Sequence, residues 1–233
     1  MNSTASARDF EVVVFTKPAI PHRVKTRLIG ELTAEQAAEL HRAFVGDVLD
    51  ELRRGSMELS IAWALASDEG VPNWPEAVGI EGFPQRGDGL GERLYHGLSR
   101  ALRDRPMAAA IGSDHPELRW QTVADARQHL LDGADVVLGP SEDGGYYLVG
   151  VTRDGLQKRL FEDIDWSTER VLDQTLERAQ ELDARVELLP PGTDVDVAED
   201  LHRLIDRIGS GEVSCPRTES VLRAWGRWTR QLG

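Results

Sequence analysis

Ile111-Gly112-Ser113-Asp114-His115-Pro116 closes the apolar run Met107 to Ile111, and Gly139-Pro140-Ser141-Glu142-Asp143-Gly144-Gly145-Tyr146-Tyr147 lies between the apolar runs Val136-Val137-Leu138 and Leu148-Val149. An acid is released at the end of one buried strand, and a second acid precedes a Gly-Gly pair at the end of the next. In open α/β sheets, ligands gather outside the carboxyl ends of the strands. Two acids in that position suit a divalent cation shared with phosphate oxygens, because Mg²⁺ takes one or two carboxylates and fills its shell from the ligand.

Working outward, strand and helix patterns alternate. Phe10 to Thr16 reads as a first buried strand, and Lys17 to Leu28 as a Pro-marked basic loop. Thr33-Ala34-Glu35-Gln36 is a capping box that opens a helix running to Gly55, with Leu40, Phe44, Val48 and Leu52 on one face. Strands are expected at Leu59 to Ala66, Ile80 to Phe83, Met107 to Ile111, Asp135 to Leu138, Tyr146 to Val151 and Val186 to Leu189. Helices are expected at Gly89 to Arg105, Leu118 to Leu131, Ser167 to Asp183 and Val197 to Ile208, with a last one over residues 217–232. This order predicts a three-layer α/β/α domain with a mostly parallel sheet. The Gly144-Gly145 join is too short for a crossover helix, so the strand after it is expected as an antiparallel insertion. Residues 1–9 read as a loose leader, and residues 10–233 as one domain. Trp225 or Trp228, if exposed on the last helix, would mark a homodimer face.

With 233 residues and 40% apolar side chains, the chain can bury one sizeable core. A net charge of −13 disfavours partners such as nucleic acid and anionic membranes, and no run is long enough to span a bilayer. The single cysteine, Cys215, excludes an internal disulfide framework and a Cys-based zinc site. A cytoplasmic location is the expectation. Three lysines occur, Lys17, Lys25 and Lys158, and two of them fall in the loop after the first strand.

That loop lacks GxGxxG and GxxxxGK[ST], so neither a Rossmann dinucleotide site nor a P-loop is supported. Its cations Lys17, Lys25 and Arg27 suit phosphate, with a solvated basic loop as the plainer reading. Asp114 could be a metal ligand or the start of an Asx turn before Pro116. In Asp194-Val195-Asp196-Val197-Ala198-Glu199, Asp196 and Glu199 make a capping-box pattern, and Asp196 could equally face a metal. Asp194 and Asp196 follow a strand whose end is expected beside that of the Asp114 strand. Gly87-Asp88-Gly89-Leu90-Gly91-Glu92-Arg93 could present helix-start amides to an anion or a base edge, or serve only as a tight turn. Trp166 before Ser167-Thr168 could staple a helix or wall a pocket.

Taken in order, Phe15-Thr16-Lys17-Pro18, Val24-Lys25-Thr26-Arg27-Leu28, Gly87 to Arg93, Gly112 to Pro116, Leu138 to Tyr147, Trp166-Ser167-Thr168 and Asp194-Val195-Asp196 resemble the bacterial glycosyltransferase-A-like family of the nucleotide-diphospho-sugar transferase superfamily. The resemblance covers about residues 10 to 205. Lys25-Thr26-Arg27-Leu28 is also similar to the loop of phospholactate guanylyltransferases, and Asp196 to Leu201 to the metal-binding segment of CMP-sugar synthetases. The resemblance implies a GT-A-type fold and a transferase that uses a nucleoside triphosphate or nucleotide-sugar with a small-molecule acceptor. It implies Mg²⁺ or Mn²⁺ held by Asp114 and Asp196. Lys25, Arg27 and Lys17 would lie on the phosphates with Gly89 and Arg93 beside them, and Lys25, Asp114 and Asp196 would carry the catalysis. Asp143, Gly144, Gly145, Tyr146 and Trp166 would shape the acceptor pocket. Three departures stand out: His115 replaces the family's small residue, no Asp-X-Asp signature stands at the end of the Asp114 strand, and the Gly-X-Gly-X-Arg-Met signature is missing. Glycosyl transfer, nucleotidyl transfer and non-catalytic nucleotide sensing all remain open at this point.

Overall fold

A computed structural model describes residues 9–226. The expected leader, apart from Asp9, and the end of the 217–232 helix with Trp228 lie outside these residues. Seven strands form one sheet: β1 (Phe10–Thr16), β2 (Glu58–Trp63), β3 (Glu81–Pro84), β4 (Met107–Gly112), β5 (Val136–Pro140), β6 (Tyr146–Thr152) and β7 (Val186–Leu188). Their order is β3-β2-β1-β4-β6-β5-β7. All neighbours are parallel except β6, which runs antiparallel to both β4 and β5. The Gly144-Gly145 turn thus acts as expected, returning the chain at once and inserting β6 between two parallel strands.

Helices cover both faces, because successive residues of a strand point to opposite sides and both sides here are apolar. Val12, Val14, Ile61 and Ile111 pack on one face with Val48 and Leu52 of α1 (Ala34–Arg54) and Val123 and Leu130 of α3 (Trp120–Leu131). Val13, Phe15, Ala110 and Val149 pack on the other with Leu94 and Leu98 of α2 (Leu90–Ala101) and Ala179 of α4 (Val171–Glu181). Each fully buried aliphatic side chain contributes about 1.5–3 kcal/mol. A third cluster joins Leu28, Leu40 and Phe44 to Leu201 and Leu204 of α5 (Ala198–Gly209) and Leu222 of α6 (Pro216–Ala224).

The capping box at Thr33 forms in full: its side chain accepts from Gln36 N, and Gln36 returns the bond. Other boundaries move for local reasons. Helix α4 starts at Val171 instead of Ser167. Ser167 has φ 66°, and Thr168 donates its hydroxyl to Asp165 O at 2.7 Å. Hydroxyl side chains that bond nearby backbone compete with helix formation in this way. Helix α6 ends at Ala224, and Trp225 donates its indole N–H to Glu39 at 3.0 Å while packing on the third cluster. Trp225 is therefore half-buried against the body of the domain. Among the described residues, no helix is long and apolar enough to cross a membrane.

Candidate active site

The loop after β1 turns its second lysine inward. Lys25 adopts a left-handed conformation (φ 46°, ψ 39°) just before a short 3-10 turn at Thr26–Leu28, and Val24 and Leu28 anchor both sides in the core. The side chain of Lys25 is 3% exposed. Its ammonium reaches Asp114 Oδ1 at 2.5 Å, Asp196 Oδ1 at 3.0 Å and Val195 O at 2.7 Å. An ammonium has three N–H donors, and here each has a partner. Burial works against its charge, but Asp114 and Asp196 outweigh burial and raise its pKa, so Lys25 remains protonated.

Asp196 arrives by a route that the strand pattern does not show. β7 is at the edge of the sheet, with β5 and β6 between it and β4, so its end is not beside the Asp114 strand. Instead the chain from Leu189 to Val195 crosses the carboxyl ends of the strands. Leu189 N donates to Leu138 O at 2.8 Å, Gly192 N to Pro140 O at 2.8 Å and Val195 N to Asp114 O at 2.9 Å. His115 and Tyr147 hold this crossing segment. Their rings stack with centroids 5.0 Å apart, His115 Nδ1 lies 2.8 Å from Thr193 O, and Tyr147 donates its hydroxyl to Pro190 O at 3.0 Å. His115 thus packs on Tyr147 and helps to hold the crossing segment.

The cap of α5 is not Asp196 with Glu199. Val197 occupies the N-cap position, and Asp200 accepts from the amides of Asp196 (2.9 Å) and Val197 (3.0 Å). The Asp196 carboxylate is consequently free to face Lys25. Asp114 and Asp196 are each 44% exposed at the side chain, so one side of the pair opens to solvent.

The cluster carries more negative charge than Lys25 balances. Burial would raise the Asp114 pKa, but Lys25, followed by His41, overrides burial and holds it below the usual carboxylate range. Asp194 lies the other way. Burial, together with Asp114, Asp143 and Asp196, pushes its carboxyl up to about 7. Behind Asp114 stands His41 of α1, buried, with Nε2 3.2 Å from Thr16 Oγ1 and 3.1 Å from Lys17 O and Nδ1 3.9 Å from Asp114 Oδ1. Ser113 donates to Thr16 Oγ1 at 2.9 Å and ties the ends of β1 and β4 together.

The Asp143 turn borders the cluster. Asp143 Oδ1 accepts from Ser141 Oγ at 2.8 Å and from Gly145 N at 3.0 Å. Gly144 has φ 84°, and a Cβ there would lie 2.2 Å from Glu169 O, so only glycine fits. Between this turn and α2 opens a cavity of about 210 Å³, lined by Phe15, Leu94, Tyr146 and Trp166 and by Asp143 and Asp194. Tyr146 and Trp166 meet edge to face at 6.2 Å. A larger depression of about 650 Å³ lies beyond the crossing segment, by Glu117, Arg119, Arg207 and Glu212. Arg207 pairs there with Glu117 (2.6 Å) and Glu212 (2.9 Å), and none of Lys25, Asp114, Asp194 and Asp196 lines it.

The structure thus brings Lys25, Asp114 and Asp196 together and sets Asp143, Gly145, Tyr146 and Trp166 beside them. Lys17 and Arg27 are exposed and form no ion pair among the described residues. Gly89 is the N-cap of α2, and Arg93 Nε bonds Gly87 O at 3.0 Å, so part of its fork holds the glycine loop. Two residues of the site escaped the sequence reading of roles. Asp194 had a signal: two residues before Asp196 in extended chain, it shares that residue's side of the backbone. His41 had none, because it sits in a helix far along the chain from Thr16. Among the described residues, no three acidic, histidine or cysteine side chains converge closely enough to bind a metal on their own. The donors do fit a divalent ion that phosphate oxygens help to hold: two half-exposed carboxylates side by side, with Asp194 raised by burial and by the neighbouring carboxylates.

The fold has counterparts among known proteins. The family described as "Uncharacterized protein conserved in bacteria" (DUF2064) matches residues 48–168. No curated protein matches the chain. A crystal structure from Desulfovibrio desulfuricans G20, described as a "putative nucleotide-diphospho-sugar transferase", is 30% identical, with a TM-score of 0.82 over 94% of this chain and 97% of that one. A cytidylyltransferase from Leptospira borgpetersenii is 12% identical, with a TM-score of 0.58 over 97% and 98% of the two chains. Glucosyl-3-phosphoglycerate synthase from Mycobacterium tuberculosis, in complex with Mn²⁺, UDP and glucosyl-3-phosphoglycerate, is 14% identical, with a TM-score of 0.51 over 84% and 75%. The last two share the fold alone. With its mixed seven-stranded sheet and its match to both the family and the Desulfovibrio structure, the chain belongs to the DUF2064 family and has the nucleotide-diphospho-sugar transferase fold.

Proposed function

We propose that this protein is a divalent-metal-dependent transferase that takes its donor group from a nucleotide or a nucleotide-sugar. One observation carries the reading: Asp114 and Asp196, 82 residues apart in sequence, are held on a single buried lysine at the carboxyl ends of the central strands, with an open cavity alongside. Mg²⁺ or Mn²⁺ bound by these two carboxylates would supply charge neutralisation at the phosphates. Lys25 sets the spacing of the carboxylates and keeps Asp114 ionised. Lys17 and Arg27, exposed on the same loop, would meet the phosphates, with the α2 amides from Gly89 beside them. Asp143, Gly144, Gly145, Tyr146 and Trp166 would position the acceptor. Rate enhancement would then come chiefly from positioning and charge neutralisation. The relatives that share the fold include one bound to Mn²⁺ and UDP, which supports the choice of ligand class. A cytoplasmic location suits both such substrates and the lone buried Cys215.

The test is calorimetry with CTP, GTP and UDP-glucose, with and without Mg²⁺, on wild type and Asp114→Asn. The asparagine oxygen can still accept from Lys25, so the fold is expected to persist. Metal-dependent binding is expected to fall to the metal-free level, and wild-type binding by the variant would sink the assignment. Pyrophosphate release would mark nucleotidyl transfer, free nucleoside diphosphate would mark glycosyl transfer, and metal-dependent binding without turnover would mark a sensor.

A further inference from the structure

The cavity beside the acidic cluster prefers one kind of acceptor. Its walls are largely apolar: Phe15, Leu94, Tyr146, Trp166 and Val171 line it, with Leu90, which is 43% exposed. Its polar side chains are the hydroxyls of Ser141, Ser167 and Thr168 and the carboxyls of Asp143 and Asp194. No lysine, arginine or histidine lines it. The wall at α2 depends on a glycine, since a Cβ at Gly91 would lie 2.5 Å from Phe161 O and 3.0 Å from the Trp166 indole. At about 210 Å³ it is smaller than the ~300–1,000 Å³ of pockets that hold drug-sized ligands, so it suits one small ring or a short branched group.

An anion entering this space would lose its hydration without gaining a cation, and would meet two carboxyl groups. The basic loop at Lys17 and Arg27 offers the opposite environment. On the transferase reading, which this inference presupposes, we infer that the acceptor held here has an apolar body and carries no anionic group, its polar group directed to Asp143 and Asp194, and that phosphorylated and carboxylated acceptors are excluded.

Three probes of matched shape test this: cyclohexylmethanol, cyclohexanecarboxylate and cyclohexylmethylammonium, with dissociation constants from ligand-observed NMR titrations at neutral pH. The alcohol and the ammonium are each expected to bind tighter than the carboxylate by about tenfold or more, the scale of 1.4 kcal/mol. Trp166→Ala should weaken the alcohol about tenfold by removing a wall. Leu90→Arg, at a half-exposed position that the fold tolerates, should shift preference toward the carboxylate by a similar factor. Equal or tighter binding of the carboxylate than of the alcohol by wild type, or an alcohol affinity unchanged in Trp166→Ala, would overturn the proposal. Titrations with nucleotide and Mg²⁺ on the same samples test the transferase reading separately, because the order of the probes does not depend on them.

Discussion

Lys25 joins three parts of the chain at one atom: the loop after β1, the end of β4 and the segment before α5. Replacing it with methionine keeps the length and removes the charge. The stability loss should fall below the ~3–5 kcal/mol of a broken buried pair, because both carboxylates are 44% exposed and water can reach them. Mg²⁺ or Mn²⁺ should then raise the melting temperature of Lys25→Met more than that of wild type, by screening the two carboxylates. Absence of any metal-dependent shift in the variant would show that the carboxylates do not converge in solution. Asp194 gives a pH prediction. Its ordinary value is 3.8 and its folded value about 7, so the native state keeps a proton that the unfolded state has released. Stability of the metal-free protein should therefore fall as pH rises from about 4 to about 7. Asp194→Asn should flatten that slope and melt higher than wild type near pH 7. An identical slope in the variant would place the titration elsewhere.

At the scale of elements, the crossing segment Leu189 to Val195 delivers the site. It belongs to no helix or strand, and its order comes from hydrogen bonds to β5, from Asp114 O, and from the stacked His115 and Tyr147. Gly192 passes so close to those rings that a Cβ would lie 2.7 Å from His115 Cε1 and 2.8 Å from Tyr147 Cδ1. Gly192→Ala should cost about 1–3 kcal/mol, the range of overpacking. It should also weaken metal-dependent nucleotide binding, because the shift propagates to Asp194 and Asp196. Full affinity in the alanine variant, measured by calorimetry, would separate the segment from the site.

At the scale of the molecule, α6 is fastened by a residue of α1. Buried Asp47 accepts from Arg217 N (2.8 Å), Thr218 N (2.9 Å) and Thr218 Oγ1 (2.7 Å), and so supplies from another helix the cap that Cys215 does not provide. Burial pushes its carboxyl up, with the three hydrogen bonds and Arg217 pulling the other way. Asp47→Ala leaves those donors unpaired in a largely buried setting, at a cost of about 2–4 kcal/mol. Hydrogen exchange should accelerate in residues 216–224, while metal-dependent nucleotide binding stays intact. Unchanged exchange there would mean that the third apolar cluster alone holds α6.

The layers and their order were legible in the sequence because they follow from local pattern. Runs such as Val12-Val13-Val14 are apolar on both faces and must lie in a doubly covered sheet, Thr33-Ala34-Glu35-Gln36 caps its own helix, and Gly144-Gly145 leaves no room for a crossover. Asp114 and Lys25 stood out for the same reason, as an acid at a strand end and a scarce cation in the first loop. Only the tertiary structure decided what Asp196 does. Its sequence context fits a helix cap, and Asp200 takes that role because its carboxylate reaches the two free amides. The strand before it ends far from Asp114, and a hydrogen-bonded crossing closes the distance. The burial of His41 beside Asp114 and the charge crowding around Asp194 have the same origin. Each depends on which distant segments meet, and that is set by the packing of the whole sheet and its helices rather than by any window of neighbouring residues.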